Sequence, residues 1–151
     1  MAEYVQSQAN QTVAAGENVL FLDSIPCKRG CVVHRNGSGV LTLRGAASGC
    51  NQSARYKVTF NGNIAIPEGG TVAAIATALA LNGEELQYSR AIITPAAVGQ
   101  YFNVTNTREI EVPKGCCYTL SVENVNAGVG EDIGIQAISV ADGNLDVSRI
   151  A

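Results

Sequence analysis

The chain has 151 residues, enough for one domain with its own core, and is 46% hydrophobic but only 15% charged. Its net charge of −3 and ten scattered Lys and Arg residues exclude the basic patch that nucleic-acid binding requires. No apolar run is long enough to cross a bilayer, and the start MAEYVQSQANQ has neither the basic head nor the apolar centre of a secretory signal, so Sec export is not expected.

Taken in order, the chain reads as short alternating runs divided by turn residues, the pattern of an all-β sandwich or barrel. Met1 to Ala15 is a polar arm, read as an appendage to a domain of residues 16–151, and Glu17–Leu22 is the first clear strand. Cys31–Arg35 and Gly39–Gly45 flank NGSG, a hairpin turn because Asn and Gly tolerate positive φ. Ala54–Ile66 alternates Tyr56, Val58 and Phe60 against Arg55, Lys57 and Thr59, a half-buried strand.

Thr71 to Pro95 carries a conflict. The alanines and leucines of AAIATALAL favour helix, yet the run is entered by PEGG and left through Asn82-Gly83, a strong hairpin signal. Strand is favoured, with Val72, Ala74, Ala76, Ala78 and Ala80 as a small-residue face that lets a neighbouring subunit approach. Ala96–Asn106 and Arg108–Gly115 follow, the second with Ile110 and Val112 inward and a stop at Pro113. In CCYTLSVEN, Cys116 leads the apolar face and Cys117 the polar one; Ile133–Val140 and Asn144–Ala151 complete nine or ten strands.

Five cysteines is an odd number, so at least one is free, metal-bound or paired between chains. Neighbouring Cys116 and Cys117 point to opposite faces of a strand, poor geometry for one metal. Buried thiols are favoured over a zinc site or a Cys27–Cys31 disulfide, and no metal or cofactor is expected. His34, the only histidine, reads as a turn residue rather than a general base. Glu84-Glu85 and Glu131-Asp132 read as solvated loop charges, and the glycines of RNGSGV and PEGGT as turn glycines rather than a phosphate cradle. The sequons at Asn10, Asn36, Asn51 and Asn103 are taken as chance. Tyr101, Phe102 and Tyr118 stand out in a chain without Trp, as anchors of a core or of a subunit interface.

The succession QTVAAGENVLF, VVHRNGSGVLTLRG, RYKVTFNGNIAIPEGGTVAAIATALALNGE, TPAAVGQYFNV and EIEVPKGCCYTLSVEN resembles the small tumour-necrosis-factor-like jelly rolls of Firmicutes and their bacteriophages. That group is similar to the C-terminal head of Bacillus exosporium collagen-like glycoproteins. The resemblance implies a two-sheet jelly roll assembled as a homotrimer, with Tyr101, Phe102, Tyr118, Ala74, Ala76 and Ala78 at the subunit contacts. No collagen-like stalk precedes the domain, which favours a bacteriophage capsid decoration or head-fibre protein over a spore-surface one. The arm, with Tyr4, Val5 and Gln8, would then grip the capsid. The alternative is an adhesion module, on a spore or cell surface, that recognises a host glycan through the loops NVNAGVGED and AASGCNQSAR. No enzymatic activity, nucleic-acid partner or membrane partner is expected.

Overall fold

A computed structural model describes residues 2–6, 10–25, 32–45, 53–115, 117–126 and 135–150. Cys27, Cys31, Cys50, Cys116, Gln8, Glu131-Asp132 and most of the two loops expected to meet a glycan lie outside these residues. Among the described residues twelve strands form: β1 (Ala2–Val5), β2 (Gln11–Val13), β3 (Asp23–Ile25), β4 (Val32–His34), β5 (Leu41–Arg44), β6 (Ser53–Ala65), β7 (Ile75–Leu81), β8 (Glu84–Glu85), β9 (Ala91–Ile93), β10 (Phe102–Pro113), β11 (Cys117–Val125) and β12 (Ile138–Arg149). Among the described residues the only helical piece is a 3-10 turn at Gln87–Ser89, so no helix there is long and apolar enough to cross a membrane.

The strands make two antiparallel six-stranded sheets. Sheet A runs β10-β6-β12-β1-β3, with β2 also paired to β12. Sheet B runs β4-β5-β11-β7-β8, with β9 also paired to β7. Alternation along β6 sends Ala54, Tyr56, Val58, Phe60 and Ile64 inward, where they meet Leu41, Leu43, Leu79, Leu120 and Val122 of sheet B in one core. Phe21 and Phe60 meet edge to face at its centre, ring centroids 6.3 Å apart.

The Thr71–Pro95 conflict resolves as strand. Asn82 (φ 52°) and Gly83 (φ 82°) both take the left-handed backbone that a two-residue hairpin turn demands, and pairing across it outweighs the helix preference of alanine. NGSG likewise joins β4 to β5.

Four expectations need correction. Glu17–Leu22 does not form a strand: it bridges β11 only at Asn18. Its Leu20 N–H and C=O are taken by the side-chain amide of Gln11, at 2.9 and 3.0 Å, so an amide replaces a backbone neighbour. Arg108–Gly115 is not separate from the run before it, because β10 pairs with β6 without a break from Phe102↔Ile64 to Pro113↔Ser53. The last two predicted strands are one, β12, interrupted only by a bulge between Ala141 and Asn144.

The fourth correction concerns the arm. Ala2–Val5 is a strand paired on both sides, to β12 and to β3, and Gln11–Val13 also pairs with β12. Tyr4 is 1% exposed within the main core. The segment alternates Tyr4 and Gln6 inward, a period hidden among its polar residues, so it completes the sheet rather than hanging from it. Tyr4 is therefore a core side chain and not a gripping one; its burial pushes the phenol up to about 12. The His34 ring stands edge-on to Tyr4, centroids 4.8 Å apart, with its Nε2 2.9 Å from Ser38 O. The single histidine is part of the packing.

Candidate functional site

One side of the sandwich is closed by an interrupted strand. After the Asn82-Gly83 turn, β8 pairs with β7, the 3-10 turn swings out, and β9 pairs with β7 again further along. The interruption is supported by Ser89: its Oγ accepts from Leu79 N at 2.9 Å and donates to Leu86 O at 2.7 Å, a side chain standing in for the missing ladder partner.

Asn106 of β10 fixes this turn to the other sheet. Its Nδ2 donates to Thr77 O at 2.9 Å and to Ser89 O at 2.6 Å, and its Oδ1 accepts from Thr77 Oγ1 at 3.0 Å. Asn106, Thr77 and Ser89 are all buried. The network joins the β10 edge of sheet A to the β8/β9 edge of sheet B. The same turn places Tyr88 in solvent, 89% exposed, with the Arg108 guanidinium 5.7 Å from its ring centroid.

Exposed apolar side chains gather along this side. Four of the eleven large ones among the described residues, Tyr88, Ile92, Val98 and Phe102, fall within one 15-residue stretch. Ile92 and Phe102 are 43% and 42% exposed, and the loop carrying Val98 is held by Gly99 N donating to Ile66 O at 2.9 Å. Glu85 and Arg90 form an ion pair at the margin. The nearby Glu123 carboxyl is pushed up, first by its burial and then by Glu85. Aromatics and Arg, the side chains met here at Tyr88, Phe102 and Arg108, are the ones that most often anchor interfaces.

The residues expected at subunit contacts are not brought together. Tyr101 and Phe102 stand at the start of β10, whereas Tyr118, half-buried against the core, follows the turn at its other end. Twelve residues of strand separate them, about 40 Å. Phe102 belongs to the flank just described, and Tyr101, in phase with Asn103, turns toward the outer face of sheet A. Ala74, Ala76 and Ala78 form with Val125 a small second cluster that is already buried within one chain. Their methyls sit below taller cross-strand neighbours, Ile92 opposite Ala76 and Glu123 opposite Ala78. A partner on that face would meet those neighbours first. Val5 is half-buried in β1. Cys117 is exposed on the polar face of β11, as its alternation predicts.

Sequence reasoning missed Tyr88, Ile92 and Arg108. A tyrosine inside the polar stretch EELQYSR was the available signal. Among the described residues, no three His, Cys, Asp or Glu side chains converge as a metal site.

No protein-family model matches the chain, and no curated protein does. Among solved structures it is similar to the globular domain of zebrafish complement 1qA protein, at 11% identity over 95% of this chain and 93% of that one, TM-score 0.51. The C-terminal domain of EclA, a sugar-binding protein, aligns at 15% identity over 96% and 82%, TM-score 0.40. The CBM22-1 xylan-binding domain of Paenibacillus barcinonensis Xyn10C aligns at 12% over 100% and 95%, TM-score 0.37. The first of these likenesses establishes the fold: a two-sheet jelly roll of the complement 1q and tumour-necrosis-factor-like kind.

Proposed function

We propose that this chain is a non-enzymatic structural module that works as a homotrimer, with the β9–β10 flank as its self-association surface. The observation that carries this reading is the run of exposed apolar side chains Tyr88, Ile92, Val98 and Phe102 along the β9–β10 side, where the Asn106 network ties the 3-10 turn to β10. A fixed apolar surface loses little side-chain freedom when covered. The low charge of the chain agrees with a surface destined for burial.

On this reading the trimer sits on a particle surface, as a bacteriophage capsid decoration or head-fibre protein. The resemblance to jelly rolls of Firmicutes and their bacteriophages agrees with that placement, and a spore or cell surface is the alternative. Because Tyr4 is buried in sheet A, attachment falls to Val5 and to Gln8 beyond it.

Light scattering behind a sizing column tests the assembly. The wild type should elute with the mass of three chains, with or without reductant, and Phe102→Asp should elute as one chain with an unchanged circular dichroism spectrum. A wild type with the mass of one chain across the accessible concentration range refutes the proposal.

A further inference from the structure

The outer face of sheet A has a different chemistry. Cross-strand register sets Asn103 opposite Asn63, Thr105 opposite Asn61, and Asn61 opposite Asn144. Asparagine is depleted from strands, so four on one face of three adjacent strands contradict local preference. Such conflicts mark functional positions.

These amides hold one another. Asn103 Nδ2 donates to Asn61 Oδ1 at 2.8 Å and to Asn63 Oδ1 at 3.2 Å, and Thr105 Oγ1 donates to Asn61 Oδ1 at 3.3 Å. Asn63 Nδ2 donates to Asp142 Oδ2 at 3.4 Å. Asp142 reaches it from the β12 bulge, where its φ is 55°, a strained backbone for a non-glycine residue. Bulges re-aim side chains beside binding sites, and this one is locked from below by Gln6. Its Nε2 donates to Val140 O at 2.8 Å, its Oε1 accepts from Gly143 N at 3.2 Å, and its own N–H donates to Gly143 O at 2.8 Å. Asn144 Oδ1 is a buried acceptor with no hydrogen-bond partner.

The internal bonds use both donors of Asn103 and the acceptor of Asn61. Among the described residues they leave Asn61 Nδ2, a donor, and Asn103 Oδ1, an acceptor, without a protein partner on this exposed face. A pair of neighbouring hydroxyls, each able to donate and accept, is the group that satisfies both. Tyr101, 40% exposed and two residues before Asn103, adds a ring on the same face, with an apolar plane and a polar tip. Asn61, Asn63, Asn103 and Thr105 carry no charge, and Asp142 beside them repels an anion. From these features we infer that the outer face of sheet A binds a neutral oligosaccharide, with sugar hydroxyls on the Asn61–Asn103 amides and Asp142 and a ring face against Tyr101. From Tyr101 to Thr105 the strand runs about 13 Å, which suits a short chain of sugars rather than a single ring. The site lies on the sheet face, not in the loops, and is independent of the self-association flank.

The test is calorimetric titration of the intact protein with the hexasaccharides of cellulose, xylan, mannan, laminarin and chitin at millimolar concentration. At least one should bind. Asn61→Ala and Asn103→Ala should each weaken that binding about tenfold, the loss of roughly one well-formed hydrogen-bonded contact, and Tyr101→Ala should weaken it at least as much. Val33→Ala, exposed on β4 of sheet B, should leave it unchanged. Should an asparagine variant fail to fold, the side-chain amide NMR signals of Asn61, Asn63 and Asn103 in the wild type serve instead, and should move on titration. No binding of any of the five sugars, or binding that leaves these signals and variants unaffected, overturns the inference.

Discussion

Asn106→Ala isolates the joint between the two sheets. The substitution deletes three hydrogen bonds, to Thr77 O, to Ser89 O and from Thr77 Oγ1, at a residue only 1% exposed. A buried carbonyl stripped of its partner costs about 1–3 kcal/mol. Ser89 O lies in the 3-10 turn and has no strand neighbour to turn to, so it bears the full cost. Thr77 sits inside β7, where sheet pairing continues, and bears a smaller one. The sum is about 2–4 kcal/mol, which in a chain of this size lowers the melting temperature by about 5–15 °C. Urea unfolding at fixed protein concentration, followed by circular dichroism, measures it. With Thr77→Val already present, Asn106→Leu should cost less than it does alone, because no stranded hydroxyl is left to penalise. A cost below about 0.5 kcal/mol for Asn106→Ala, the range of an ordinary surface change, would refute the account of this network.

Two further outcomes follow from the structure. Asp146 faces Glu3 directly across β12 and β1, and its carboxyl is pushed up, first by burial and then by Glu3. The folded state thus holds that proton to higher pH than the unfolded chain does, and loses stability as pH rises through the upper carboxylate range. Asp146→Asn should melt higher than the wild type at neutral pH, with the gap closing as the solution is acidified; an Asn variant that melts lower at neutral pH contradicts this. At Gly39, an added Cβ would stand 2.8 Å from Asn18 Cβ and 2.8 Å from the Val19 carbonyl oxygen. Gly39→Ala should therefore cost about 1–3 kcal/mol by overpacking, read from the same urea titration, and an unchanged midpoint would count against the rigidity of the 18–20 segment.

Much of the fold was legible because its signals are local. Alternation along Ala54–Ile66 and the Asn82-Gly83 turn each act over a few residues and survive into the structure. The misses share a different cause. Leu20 is held by Gln11, and the β12 bulge by Gln6 from 137 residues away. Both are amides substituting for backbone, and no periodicity records such a contact. DGN at 142–144 carries turn chemistry, yet Gln6 absorbs it within a continuous strand. The interaction surfaces were less legible still. Tyr88 owes its exposure to a 3-10 turn that Ser89 stabilises, and the asparagine face exists only once register has aligned β6, β10 and β12.

The place of β12 at the middle of sheet A governs how the protein can be made. Ala2 pairs with Val147 and Val5 with Asn144, while the opposite side of the same strand receives β6. A growing chain therefore carries β1, β2 and β6 with bare edges until residues 138–149 have left the ribosome. Closing contacts across so much sequence is slow, and bare edges invite pairing with other chains. A nascent chain stalled before β12 would lack the middle of a sheet rather than its margin, and aggregation during synthesis is the hazard this topology sets.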